Sequence, residues 1–140
     1  MTSRREARAS SARSKLKKQS AGRCYRCGSR PPCVPKGRCR TCILRTAATR
    51  HCASLPVVIA AWRKHKGRCA YSGVRIRLGV NASLEHVLPR MDGGDSGVDN
   101  IVWVDNRVNN AKHCMPITEF VVMCRNILVH FGYTVTRENL

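Results

Sequence analysis

The chain has 140 residues, 43% of them hydrophobic and 5% aromatic, with 26 Lys and Arg against 8 Asp and Glu for a formal net charge of +18. That length holds one modest domain plus an appendage. No apolar run reaches the roughly 18 residues of a membrane-spanning helix, and the basic start Met1-Thr2-Ser3-Arg4-Arg5 has no apolar stretch behind it, which excludes a secretory signal.

The charge is lopsided. Residues 1–68 carry 19 basic residues against one acidic, whereas residues 69–140 carry 7 of each. The first part should attract a polyanion, and nucleic acid is the natural one because each Lys or Arg near a phosphate releases a condensed counterion. Nine cysteines, two pairs of them at CxxC spacing and the rest single, are the usage of a reducing compartment and not of a disulfide framework. The expected location is a reducing compartment inside the cell, not a secreted one. The Arg/Ser/Ala-rich start also shares the composition of an organellar transit peptide, which leaves an organelle open.

In chain order, residues 1–22 form a basic arm without apolar periodicity, expected to be disordered unless bound to nucleic acid, where Arg4–Lys18 could become helical. Residues 23–44 form a compact cysteine module, and 45–67 a polar connector running into a helix. Ser54 is that helix's N-cap, Pro56 lies in its first turn, and Gly67 ends it. Cys69–Gly73 reads as a strand into a tight turn, Val74–Leu78 as the return strand and Ala82–Val87 as a further strand. A loop over Pro89–Asp99 carries Gly93, Gly94 and Gly97. Ile101–Val104 is apolar, and Asp105–His113 is a polar helical turn. Within residues 116–140, Ile117, Phe120, Val121, Cys124, Leu128 and Phe131 recur at helical spacing, predicting a core-packing helix over Pro116–Phe131. The fold class expected from this order is α+β.

The spacing Cys24-x-x-Cys27 and Cys39-x-x-Cys42 points to one closed, structural Zn2+ site, which would hold together residues with no core of their own. Cys33 lies between the two knuckles and fits the spacing less well. Arg23, Arg26, Arg30, Lys36, Arg38 and Arg40 surround the knuckles and suit phosphates.

The second constellation is Glu85-His86 at the end of a strand. Asn100 follows after a glycine-rich loop, then Asn109 with Lys112 three residues on. A phosphodiesterase needs a hard divalent cation held by few oxygen ligands. It also needs a neutral imidazole to take a proton from water. A carboxylate, an amide oxygen and a histidine supply those parts.

The segments Leu84-Glu85-His86-Val87-Leu88-Pro89-Arg90-Met91-Asp92-Gly93-Gly94, Asp99-Asn100-Ile101-Val102-Trp103-Val104 and Asn109-Asn110-Ala111-Lys112 resemble the HNH (ββα-metal) endonuclease motif. Arg68–Gly73 resembles that family's lead-in, so the likeness spans residues 68–115. It implies a small ββα-metal core flanked by helices, with His86 as general base and Asn100 positioning the loop. It implies one Mg2+ or Mn2+ on Glu85 and Asn109 (or Asn110), and cleavage of double-stranded DNA to 5′-phosphate and 3′-hydroxyl ends. Arg90 and Lys112 join the nucleic-acid-binding set. Many members have a second four-cysteine zinc site, but here its positions read Cys69, Ser72, Asp105 and Val108. Packing from Trp62, Tyr71, Trp103 and the C-terminal helix must replace it. The knuckle-plus-HNH combination resembles small free-standing nucleases of phages and mobile introns, which implies the cytoplasm or nucleoid of a bacterial or phage setting. The competing expectation is a non-catalytic nucleic-acid-binding protein, such as an RNA- or ribosome-associated reuse of the scaffold. A third is a nuclease subunit that needs a partner. Target sequence, nicking against double-strand cleavage, and oligomeric state are not legible in the sequence.

Overall fold

The computed structural model describes residues 4–29, 31–32 and 37–136, the side chain of Arg5 apart. These residues form an α+β fold of five helices and one antiparallel pair of strands, with a separate cluster of four cysteines.

Helix α1, Arg4–Ser20, contains no glycine, proline or β-branched residue, and Ala, Arg, Lys and Gln are strong helix formers. It stands almost wholly exposed. Its C-terminal end is tied to the cysteine module, with the Lys15 ammonium 4.7 Å from the centre of the Tyr25 ring and the Arg23 amide donating to the Lys18 carbonyl at 2.9 Å. Over Arg4–Ser20 the structure thus differs from the expectation of an arm disordered unless bound: intrinsic propensity and this anchor favour a helix there.

Helix α2, Arg40–Arg50, also corrects the expected boundary at residue 44, since it begins inside the cysteine module and runs through the supposed connector. Ile43, Leu44 and Ala48 are its buried core residues, and Ala47 packs beside them. Helix α3, Leu55–Lys64, is capped as anticipated: the Ser54 hydroxyl accepts from the Val57 amide, and proline occupies the first turn. Gly67, just beyond its end, has φ +71°, a left-handed conformation that glycine adopts freely.

Strands β1, Ala82–His86, and β2, Ile101–Asp105, pair antiparallel, with Leu84 opposite Trp103 and His86 opposite Ile101. Helix α4, Asn106–Lys112, follows β2 at once, and the Asp105 carboxylate caps it by accepting from the Arg107 amide. The expected strands over 69–73 and 74–78 reduce to one isolated bridge, Arg68 with Arg75, around a tight turn at Gly73. The amide of Cys69 and the carbonyl of Val74 close that turn.

Both faces of β2 are covered, and all five of its residues are buried. On one face, Trp103 donates its indole N–H to the Val58 carbonyl at 3.1 Å and meets Trp62 edge-on at 5.4 Å. The other face meets α4. Helix α5, Ile117–His130, is not the core-packing element anticipated. Phe120 alone among its residues is buried, and Val121, Ile127, Leu128 and Phe131 lie exposed. A cleft of about 500 Å³ separates it from the Ala70–Ser72 turn. Of the packing residues anticipated, Trp103 lies in the buried core with residues such as Ile43, Val58 and Leu84, and Trp62 and Tyr71 pack against it from its margin.

Candidate functional site

The four cysteines Cys24, Cys27, Cys39 and Cys42 bring their sulfurs within 4.8 Å of one another. They are able to hold a structural metal ion. Cys24, Cys39 and Cys42 are buried, whereas Cys27 is exposed. The Cys27–Cys39 sulfur separation is 3.7 Å, close to the edge of a tetrahedron with metal–sulfur bonds of about 2.3 Å. The electrostatics are divided. The Ser29 side chain draws the Cys27 thiol down to about 5. Burial raises Cys24, yet the backbone amides around it outweigh burial and leave it lowered. Burial pushes Cys42 up to about 12. A cation at the centre is what would let all four be thiolates together.

The basic residues assigned to this module separate into different roles. Arg23 and Arg26 are exposed. The Arg38 guanidinium is turned inward, donating to the Cys42 carbonyl at 2.8 Å and to the Thr46 hydroxyl. That side chain braces the module and is not free to grip phosphate. Arg40 lies 5.9 Å over the Trp62 ring. Arg30, Lys36 and Cys33 fall outside the described residues.

The second site is built on β1. Side chains alternate across a strand, so Ser83 and Glu85 face one way and Leu84 and His86 the other. Ser83 and Glu85 face α4. There the Asn109 amide donates to the Ser83 hydroxyl at 3.0 Å, and the Lys112 ammonium donates to Glu85 Oε1 at 2.8 Å. The three-residue step from Asn109 to Lys112 is one helical turn, which puts both over the same strand face. Lys112 is fully buried and Glu85 nearly so. This corrects the expectation that Lys112 reaches nucleic acid: its ammonium is turned inside, against the Glu85 carboxylate.

His86, on the opposite face, is buried at 8% exposure. Its Nε2 lies 3.3 Å from the Ser96 hydroxyl, and its ring centre is 5.4 Å from that of His51. Burial first, and then the charge of Arg90, hold His86 below the ordinary histidine range, against the opposing pull of Glu85 and Asp95. Arg90 itself is exposed and donates to the Cys52 sulfur at 3.4 Å.

Asn100 is the organising residue of the loop between the strands. Its Oδ1 accepts from the Leu88 amide at 2.7 Å, and its Nδ2 donates to the carbonyls of Leu88 at 3.1 Å and Asp95 at 2.7 Å. One carboxamide thereby fixes the backbone just after His86 and just before Ser96. The approach is tight enough that a Cβ on Gly94 would be driven into the Leu88 carbonyl.

The structure thus brings Glu85 together with the Asn109–Lys112 turn, and His86 together with the Asn100 loop, but sets the two groups on opposite faces of β1. Ser83, Ser96 and His51 join these groups without having been singled out in the sequence. His51 lies 35 residues before His86 with no spacing that signals it, and serine in a glycine-rich loop is unremarkable. Cys69, left over from the absent second zinc set, sits under the Ser72 amide and is used locally. No protein-family profile matches the chain, and no curated protein matches it.

Proposed function

We propose that this chain is a metal-dependent endonuclease of the HNH type that hydrolyses phosphodiester bonds in double-stranded DNA, with Zn2+ in the four-cysteine module as a structural ion. The observation that carries this reading is the Asn100 clamp, whose three hydrogen bonds brace both ends of the loop leaving His86. It lies within the succession of β1, a short 3-10 turn, β2 and α4 on which the motif depends.

The donor chemistry of Glu85 and Asn109 fits a hard divalent cation, Mg2+ or Mn2+: a carboxylate and a carboxamide are both oxygen donors, and both rise from the face shared by β1 and α4. When bound, that cation supplies neutralisation of charge on the phosphorus and on the departing oxygen. The chain's own residues do the rest. His86, kept neutral by burial, accepts the proton of the attacking water. Asn100 holds the backbone that aims it. Lys112 supplies Glu85 with positive charge and limits how far the carboxylate can swing. Arg90 stands exposed near the imidazole to meet a phosphate, while Arg23, Arg26 and α1 supply attraction along the backbone.

One observation favours a second reading, a nucleic-acid-binding protein without catalysis, including an RNA-bound one. The Lys112 ammonium already balances Glu85 at 2.8 Å, so the site is neutral without a cation. Plasmid cleavage decides between the two. The zinc-loaded protein should convert supercoiled plasmid with Mg2+ or Mn2+, EDTA should stop it, and His86→Ala should abolish cutting while sparing DNA binding. Intact plasmid under every divalent metal, with binding retained, would establish the second reading.

A further inference from the structure

The hydrogen bonds around His86 fix more than its position. The Ser96 hydroxyl has a single proton. It lies 2.9 Å from the His51 carbonyl, which can only accept. The hydroxyl oxygen is therefore left as an acceptor toward His86 Nε2, 3.3 Å away. That nitrogen must carry the hydrogen, and in a neutral imidazole the lone pair then belongs to Nδ1. We infer that Ser96, aimed by the His51 backbone carbonyl, is a positioning residue that holds His86 in the Nε2–H tautomer and so makes Nδ1 the nitrogen that receives the proton. This rests on the nuclease reading only for its catalytic consequence.

Two further contacts support the arrangement. The His51 ring lies 5.4 Å from the His86 ring at an interplanar angle of 32° and restricts its rotation. Asn100 holds the Asp95 carbonyl immediately before Ser96, so the same carboxamide that positions the histidine positions its acceptor. The water O–H bond breaks and its proton goes to Nδ1. The water oxygen bonds to phosphorus as the bond from phosphorus to the 3′ oxygen breaks, and the 3′ oxygen takes a proton from solvent. Throughout, Ser96 keeps its own proton on the His51 carbonyl. It acts through His86 and does not touch substrate.

Long-range 1H–15N correlation spectra of the full-length, zinc-loaded protein test this without DNA. At a pH where His86 is neutral, its Nε2 should show the shift of a protonated nitrogen and its Nδ1 that of a bare one. Ser96→Ala should leave a mixture of tautomers and lower kcat about tenfold with little change in KM. Ser96→Thr, which keeps the hydroxyl, should restore both. An Nδ1–H tautomer in the unmodified protein, or a Ser96→Ala variant with unaltered tautomer, would overturn the inference. If the tautomer is as stated while plasmid remains uncut, the positioning stands and the nuclease reading is what fails.

Discussion

Gly94→Ala tests the geometry of the loop most directly. A Cβ at this position would stand 2.7 Å from the Leu88 carbonyl carbon and 2.9 Å from Asn100 Nδ2, where ordinary contacts begin at 3.4 Å. The Leu88 carbonyl oxygen would lie closer still, so the carbonyl group must retreat by more than the roughly 0.7 Å its carbon alone requires, and the Asn100 amide in the way belongs to the clamp itself. Backbone cannot rotate away as a flexible side chain can, so the displacement strains or breaks the Leu88–Asn100 pair of hydrogen bonds. Overpacking of this kind costs about 1–3 kcal/mol. Because Leu88 lies two residues from His86, a misplacement approaching 1 Å should lower cleavage about 100-fold. Urea denaturation and single-turnover plasmid cleavage measure the two effects. Gly94→Ala with unchanged midpoint and unchanged rate would refute the close approach and the role given to the clamp.

Lys112→Met should cost about 3 kcal/mol in urea melts, because it leaves the Glu85 carboxylate without its counter-charge in a nearly buried place. The double variant Glu85→Gln/Lys112→Met should recover most of that loss, and a fully additive result would dismiss the pairing. Metal analysis should find one zinc per chain. Chelation or Cys24→Ser should unfold the cysteine module while the Trp62–Trp103 near-ultraviolet signal persists, since the core around Trp103 shares no buried residue with the cysteine cluster. Loss of both signals together would show a single cooperative unit. The Arg107 amide above all, with Asn81 and the Arg107 side chain adding to it against burial, holds Asp105 below the ordinary carboxylate value of 3.8. A depressed folded pKa contributes stability that is present above about pH 4 and is lost as pH falls through the folded value. Asp105→Asn should therefore flatten the dependence of stability on pH below 4, and an unchanged slope in chemical denaturation would contradict the assignment.

Where signals were local, the sequence was a good guide. Ser54 with Pro56, the apolar run Ile101–Val104 and the CxxC spacing each specify their structure through neighbours in the chain, and α3, β2 and the cysteine cluster lie where those signals put them. Local signals failed where a competing pattern masked them. The apolar stripe of α2 is short and flanked by Arg40, Arg45 and Arg50, so it read as part of a basic connector. Residues 69–78 alternate as a hairpin should, but they close on themselves through Gly73 and never join the β1–β2 pair. The periodicity of α5 was real, yet periodicity cannot say whether a partner surface exists, and here the helix keeps most of that face exposed. Long-range pairings were the least legible part. The spacing set Lys112 one helical turn beyond Asn109 without saying whether its ammonium points out to phosphate or in to Glu85. Nothing in the residues around 51 announced a second histidine beside His86.

The alternation of β1 constrains where a substrate phosphate could lie on the proposed reading. Glu85 and His86 are consecutive, so within a regular strand their side chains diverge to opposite faces, and no single phosphate buried against either face could meet both. His86 is the last residue of the strand, and the two faces converge only there, where pairing stops and the chain turns through Pro89 into the short 3-10 turn Arg90–Asp92. The groups around that end have the right distribution. Arg90 is exposed beside the imidazole, and the Asn100 clamp fixes the first turn of chain beyond the strand. The α4 side, by contrast, is closed by the buried Lys112. On that reading, a phosphate approaching along the strand axis past Arg90 reaches the base without first breaking the Glu85–Lys112 pair. Arg90→Ala should accordingly weaken cleavage through a raised KM more than a lowered kcat, the reverse of the split expected for Ser96→Ala. Equal kcat loss in both variants would place the phosphate on another path.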